Sequence, residues 1–327
     1  PLYAFCSCIA VLGEQVSVPL LKRFVSASDV DIDPDAALDQ LGELGLVTEG
    51  PLHAQESVAL RPTLLRELLL SQRGKRERRK MELLAAETRQ AWAAHHLDQE
   101  AGKIGDHYHA AGLPEQALSW WQRSLPFETR AGRPDAAVHA GRSALRVMDV
   151  KTQAYADVAF VTGQLLLDIG ELDQASAVLR KLVEEAEPDN ALRAGDLLAD
   201  VYENSGEVDA WNALITTMSA LEDQASDSGL RALYCARSMW LNSRGLRDQG
   251  FKEARQAVSI AQPGRDAQRA AQRLVFTCLS QGELDLGEKA ARSALKHAGE
   301  HPELRARSLR ALGVVLVWKH LCEEAIG

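Results

Sequence analysis

The sequence predicts a mostly α-helical protein in which a small domain of helices and a β-hairpin precedes a superhelix of stacked helix pairs. Three observations predict this fold class. The chain of 327 residues is rich in Ala, Leu, Arg and Glu but has only 5% aromatic residues. Two short stretches typical of strands occur near the start, within the first 62 residues. A glycine-led phrase, GELDQASAVL at Gly170, recurs through the later two thirds of the chain.

The first element is the apolar run LYAFCSCIAVL at Leu2–Leu12. It is too short to cross a bilayer, which takes about 20 apolar residues, and no basic residue precedes it as in a signal peptide. The run therefore predicts a buried helix. The five cysteines are odd in number and scattered, which does not fit a disulfide framework and favours a cytoplasmic protein.

Two further helices and two strands complete the predicted domain. Val18–Val25 reads as a short helix. Asp33 and Pro34 supply a cap and a first-turn proline for a third helix that ends at Leu44, before Gly45. Two short strands are predicted around the segment GPLHAQES, at Leu46–Thr48 and Val58–Arg61. Three helices followed by a hairpin form a winged-helix-like pattern over residues 1–62, and residues 63–97 read as one helical connector.

Glycines followed three residues later by an acid mark the repeated helix turns. Glycine just after a helix can adopt the left-handed conformation that closes it, and an acid is favoured in the first turn of the next helix. The turn glycines are Gly112, Gly132, Gly170, Gly206, Gly245 and Gly282. The matching acids are Glu115, Asp135, Asp173, Asp209, Asp248 and Asp285.

The turn spacing identifies the repeat. From Gly132 to Gly282 the intervals are 38, 36, 39 and 37 residues. Residues 98–327 resemble the tetratricopeptide repeat, whose unit has about 34 residues, and hold six to seven repeats with the last truncated. The best match is the set Gly105, Tyr108, Gly112, Ala117 and Trp121. Stacked repeats share one core, predicted here to contain Leu166, Leu179, Leu182, Leu198, Ile215, Leu241, Leu274 and Leu312.

The order of motifs resembles that in bacterial signal-transduction ATPases with numerous domains. These include relatives of MalT and AfsR and predicted ATPases linked to kinases or cyclases. The resemblance rests on Ile9–Gly13, on ALDQLGELGLV at Ala37–Val47, on ALRPTLLRELLL at Ala59–Leu70 and on DHYHAAGLPEQALSWW at Asp106–Trp121. It implies a sensor or autoinhibitory arm that follows an ATPase core. The family's Phe and His in the third motif are absent, so nucleotide sensing through that motif is not implied.

The sequence predicts no catalytic residue, cofactor site or metal site. The stretch GLRDQGFK at Gly245–Lys252 has Phe251 where a phosphate loop needs its lysine. Four histidines, at positions 95, 96, 107 and 109, lack zinc-ligand spacing. Because the chain starts at Pro1 and stops within a helical pattern, we expect it to be part of a longer protein, with any ATPase, kinase or cyclase domain outside it.

Charge argues against a general nucleic-acid binder, because the net charge is −9. The predicted third helix, where a winged helix would read DNA, carries Asp35, Asp39 and Glu43 and no basic residue. One basic segment could contact phosphate or an acidic partner, or could equally be a solvated helix start. It comprises Arg73, Lys75, Arg76, Arg78, Arg79 and Lys80.

The first helix of each repeat is expected to line a groove for a protein or peptide partner. The groove is predicted to be acidic in the middle and basic toward the C-terminus, so that it takes an acidic segment in one direction. The predicted groove residues are Asp196, Asp200, Glu203, Asn242, Arg269, Arg273, Arg307 and Arg310. The partner can be a separate protein or an upstream ATPase or kinase domain. A MalT-like transcription regulator and a free-standing repeat scaffold remain alternative interpretations.

Overall fold

The computed structural model of the chain describes residues 1–52, 55–299 and 302–319. These fall into two compact units, Pro1–Met148 and Asp149–Gly327. The predicted boundaries near residues 62 and 97 both lie within the first unit. Two parts of the prediction lie outside the described residues: the tip of the hairpin at 53–54 and the segment 320–327, which contains Cys322.

The first unit combines a small sheet with eight helices among its described residues. Its elements are α1 (Leu2–Leu12), β1 (Val16–Ser17), α2 (Val18–Ala27), α3 (Pro34–Glu43), β2 (Val47–Leu52), β3 (Gln55–Leu60), α4 (Leu64–Ser71), α5 (Lys75–Trp92), α6 (Leu97–Ala110), α7 (Pro114–Arg130) and α8 (Pro134–Leu145).

The second unit is built from helices that pack in sequence order. They are α9 (Gln153–Asp168), α10 (Leu172–Glu185), α11 (Pro188–Ser205), α12 (Val208–Ser219), α13 (Asp227–Ser243), α14 (Arg247–Ile260), α15 (Arg265–Gln281), α16 (Leu284–Ala298) and α17 (Pro302–Trp318). No helix within the described ranges has both the length and the apolar character that a membrane span requires.

Helix α1 lies at the centre of the N-terminal core. Phe5 and Ile9 are fully buried there with Phe24 of α2 and Val58 of β3, which confirms the buried-helix interpretation of the first apolar run. The strands form an antiparallel sheet in the order β1-β3-β2. Strand β1 was not predicted, because a strand of two residues has no periodic pattern. It is defined only by its pairing with β3.

The connector is two helices, which corrects the prediction of one continuous helix. The chain leaves α4 at Ser71 and α5 begins only after Gly74, whose backbone is extended. The buried Arg89 of α5 then connects this helix to α1 and α6. Arg89 donates to the carbonyl oxygen of Leu12 at 2.6 Å and pairs with Glu100 of α6.

All six turn glycines have positive φ, which confirms the predicted helix ends. The values range from 67° at Gly132 to 86° at Gly112. At the turn after α9, the amide of Glu171 donates to the carbonyl oxygen of Leu166 at 2.9 Å, the pattern that satisfies the last carbonyls of a helix. The eight predicted core residues of the repeats are also all buried.

Glycines inside the first helix of a pair allow close approach of the second helix. A Cβ on Gly105 of α6 would lie 2.7 Å from Cδ1 of Trp121 on α7, and one on Gly163 of α9 would lie 2.8 Å from a methyl carbon of Leu179 on α10. Helix α7 packs on both α6 and α8. It therefore closes one helix pair and opens the next, as its spacing predicts.

Replacing Gly206 by Val should destabilise the second unit by about 1–2 kcal/mol, because φ of 74° places a Cβ against the backbone. Gly206→Asn is the matched control, since Asn tolerates left-handed backbone better than Val does. Urea unfolding followed by circular dichroism measures both variants. Equal stability of the two variants would contradict a conformational role for Gly206.

Candidate functional site

Five alternating helices of the second unit, α9, α11, α13, α15 and α17, carry the charged residues of the predicted groove. We call them the inner helices. Each contacts the next along the series, since α9 packs on α11, α11 on α13, α13 on α15 and α15 on α17. Side chains of the inner helices also reach across intervening helices, so these helices share one charged surface, the groove.

The most deeply buried part of the groove is an ion pair between Asp196 of α11 and Arg231 of α13. The Asp196 side chain is 1% exposed and that of Arg231 is 3% exposed. Arg231 donates to Oδ2 of Asp196 at 2.9 Å and to Oδ1 of Asp266 on α15 at 3.0 Å. One guanidinium therefore connects three successive inner helices.

Two arginines of α15 reach past α13 to the carboxylates of α11. Arg269 pairs with Oδ2 of Asp196, donates to the Asp196 carbonyl oxygen at 3.0 Å and donates to Oδ2 of Asp200 at 2.8 Å. Arg273, one turn later, pairs with Oδ1 of Asp200. We call Asp196, Asp200, Arg231, Asp266, Arg269 and Arg273 the buried network.

A separate and more exposed contact joins the first and last inner helices. Arg307 of α17 donates to both carboxylate oxygens of Asp168 on α9, at 2.8 and 2.6 Å, and to Oε1 of Gln164 at 2.8 Å. The Arg307 and Asp168 side chains are 24% and 48% exposed. This contact joins residues 139 positions apart in the chain.

Electrostatics explains how the buried acids stay ionised. Burial alone would raise the pKa of Asp196, but three nearby guanidinium groups outweigh burial and lower that pKa to about 2. The same opposition lowers the pKa of Asp200, with Arg273 and Arg269 as the charges that outweigh burial. Burial also raises the pKa of the Cys235 thiol to about 11, so this cysteine is uncharged at neutral pH.

The pairing corrects the predicted charge layout of the groove. An acidic middle and a separate basic end were expected, with Asp196 and Asp200 repelling an acidic partner. Those carboxylates are instead neutralised by Arg269 and Arg273, because the long side chains of these arginines reach from α15 past α13 to α11. Arg231 was not among the predicted groove residues. A signal for it was present, because it lies 14 residues before its turn glycine, Gly245, in the region that holds Arg269 in the next repeat.

The remaining predicted groove residues have different surroundings. Asn242 packs against α14, with its Oδ1 at 2.6 Å from where a Cβ on Gly250 would lie, so it does not join the network. Glu203 is exposed and makes no ion pair or hydrogen bond within the described part of the chain. Arg310, one turn after Arg307, is exposed and likewise has no polar partner among residues 1–52, 55–299 and 302–319.

The basic segment starts at Arg73, just before α5, and its other residues lie on the first two turns of that helix. Arg73 forms an ion pair with Glu77, and its guanidinium carbon lies 5.7 Å from the centre of the Tyr3 ring. Arg78 reaches Glu82 at 3.6 Å. The other four basic residues are exposed and have no ion pair within the described ranges: Lys75, Arg76, Arg79 and Lys80.

The histidines at positions 107 and 109 have different surroundings. His107 is buried and its Nδ1 lies 2.8 Å from Oε2 of Glu82, and burial lowers the His107 pKa despite that contact. His109 packs on the Trp121 ring. Within the described residues, no three His, Cys, Asp or Glu side chains converge as metal ligands.

No protein-family model and no curated protein matches the chain. The chain is similar to solved structures of tetratricopeptide-type repeat proteins. One is the Signal Transduction ATPase with Numerous Domains protein with a tetratricopeptide repeat sensor, PH0952 from Pyrococcus horikoshii, at 12% identity and TM-score 0.44 over 99% of this chain. This chain spans 48% of the PH0952 chain.

Two further structures are similar. The thermophilic tetratricopeptide repeat protein TTC0263 of Thermus thermophilus has 18% identity and TM-score 0.37, covering 66% of this chain and 98% of its own. NprR in complex with its cognate peptide NprX has 10% identity and TM-score 0.39, covering 94% of this chain and 73% of its own. The chain's own structure is mostly α-helical, and its second unit consists of successive helix pairs closed by glycines with positive φ, as predicted for the α-solenoid part of the fold.

Asp196→Ala should destabilise the second unit by about 3–5 kcal/mol, because it leaves buried guanidinium groups without their counter-charge. Asp168→Ala removes the exposed ion pair and should cost at most about 1 kcal/mol. Urea unfolding of the full chain compares the two. If Asp196→Ala lowers the free energy of unfolding no more than Asp168→Ala does, burial does not determine how much these ion pairs contribute to stability.

The pH dependence of stability should reveal Asp196 as well. Because its pKa is lower in the folded than in the unfolded chain, the ion-paired carboxylate contributes its full stability above the ordinary Asp value of 3.8. That contribution is lost as the pH falls from 3.8 toward 2. The stability gap between wild type and Asp196→Ala should therefore narrow below about pH 4. A gap that stays constant there would rule out a lowered pKa.

Proposed function

We propose that the chain is a protein- or peptide-binding regulatory module without catalysis of its own. We further propose that it acts as the sensor or autoinhibitory arm of a bacterial signal-transduction ATPase or kinase. The observation that supports binding is the groove, where the inner helices hold arginines and carboxylates on one shared surface. The signalling role is supported by the motif order, above all Ala37–Val47 and Asp106–Trp121.

The groove best fits an acidic segment that also carries apolar side chains. Arg310 offers a guanidinium that no described residue occupies, and guanidinium forks bind carboxylates through paired hydrogen bonds. Val314 and Val317 follow on the same face of α17, and Val317 is 51% exposed. Phe276, one turn after Arg273 on α15, is 43% exposed. A cation beside exposed apolar groups suits a partner that carries both acidic and apolar side chains.

The basic segment is a second proposed contact site on the first unit. Four of its cations are exposed and have no ion pair within the described part of the chain, so phosphate groups or acidic side chains of a partner can reach them. The face of α3 does not fit DNA, because Asp35, Asp39 and Glu43 are exposed there and would repel the phosphate backbone. A partner domain of the same signalling protein fits both surfaces better than nucleic acid does.

Binding through the groove is tested with Arg310→Glu, probed on an array of acidic, neutral and basic dodecapeptides. We expect wild type to retain acidic peptides that contain apolar residues, and Arg310→Glu to lose most of that signal through charge repulsion. Arg273 is unsuitable for reversal, because it belongs to the buried network.

Arg255→Glu on α14 is the matched control. It makes the same charge change at an exposed residue outside the inner helices, and it should retain the acidic peptides. Equal loss in both variants would indicate an effect of net charge alone. Full retention by Arg310→Glu would exclude this part of the groove as the binding surface.

A further inference from the structure

The two sets of charges that cross the groove differ in their access to solvent. The buried network lies among three adjacent inner helices, and its central carboxylate is almost fully buried. The Arg307–Asp168 contact joins the two ends of the inner-helix series, and water reaches both side chains. An external ligand can therefore compete for the second contact far more readily than for the first.

Asp168 presents to Arg307 the chemistry that an acidic ligand would offer. Both of its carboxylate oxygens accept from Nη2 of Arg307, while Gln164 accepts from Nη1. Gln164 also donates to Asp168 at 3.1 Å, which holds the carboxylate in position. The guanidinium fork of Arg307 is thus occupied from within the chain, whereas Arg310, one turn away, has no polar partner among the described residues.

We infer that Asp168 is an internal stand-in for the partner's carboxylate, so that groove closure and acidic-ligand binding compete for Arg307. This inference rests on the proposed function and names its regulation. In the closed state Arg307 connects α17 to α9 across the groove. An acidic segment that first contacts Arg310 replaces Asp168 on Arg307, and the ends of the series separate. The buried network keeps α11, α13 and α15 together throughout.

Closure is measurable without any ligand. Spin labels are placed on the full chain at Ala154→Cys in α9 and Ala306→Cys in α17, both exposed, with Cys322→Ser to prevent labelling there. Pulsed electron paramagnetic resonance should show a shorter distance between the two spin labels in wild type than in variants that lack the Arg307–Asp168 contact. Asp168→Asn and Arg307→Gln should each lengthen it, and the exchange Asp168→Arg with Arg307→Asp should restore it. An unchanged distance in both single variants would overturn closure by this pair.

Competition makes opposite predictions for two variants that break the same contact. Fluorescein-labelled hexaglutamate is the probe, and hexalysine is the control. Asp168→Asn frees Arg307 and should bind hexaglutamate roughly two- to fivefold more tightly than wild type, the range expected for loss of an exposed ion pair. Arg307→Gln removes the cation for which Asp168 and the ligand compete, and this variant should bind hexaglutamate more weakly than wild type. A purely structural role of the pair would shift both variants in one direction.

The outcomes separate this inference from the proposed function. Hexaglutamate binding that is equal in wild type, Asp168→Asn and Arg307→Gln overturns the competition, and loss of that binding in Arg310→Glu would still assign it to the groove. Failure of hexaglutamate to bind Asp168→Asn, in which Arg307 is free, overturns the acidic-ligand groove itself. Opposite shifts in the two variants, with no binding of hexalysine, support both.

Discussion

The second unit depends on one buried carboxylate, Asp196, held among guanidinium groups from α13 and α15. Taking these charges out of water is costly unless each is paired, so the inner helices must keep the spacing at which Arg231 and Arg269 both reach it. The turn glycines and small packing residues bring the helices together. The ion pairs then select one relative placement of α11, α13 and α15, which gives the groove a rigid centre.

The repeat pattern could be predicted from the sequence because it is local. A turn such as that at Gly170 depends on a left-handed residue and on an acid three positions later, and both can be recognised in a short window. The break between α4 and α5 was missed, since a strong helical pattern surrounds Gly74 on both sides. Strand β1 was missed because only tertiary pairing with β3 defines it.

The sequence indicated which helices carry the charged residues of the second unit, but it did not indicate the contacts between those residues. Helix periodicity places Asp196, Arg269 and Arg307 on inner faces. Their pairing depends on how far each helix pair rotates relative to the last, and that rotation comes from packing summed over several repeats. Arg231 was missed for a related reason: a charge within the run RALYCARS has meaning only once its partner on a neighbouring helix is known. Asn242 shows the opposite error, since a polar residue near the groove packs on α14 instead.

A rigid centre with releasable ends has a direct signature in amide hydrogen exchange of the full chain. If the buried network holds the repeats together, α11, α13 and α15 should exchange most slowly. Added salt should speed exchange only in α9 and α17, because exposed charges are screened within about 8–10 Å at physiological ionic strength. Uniform protection of all five inner helices, or salt-sensitive exchange in α13, would contradict a division between a buried network and an exposed, competing contact.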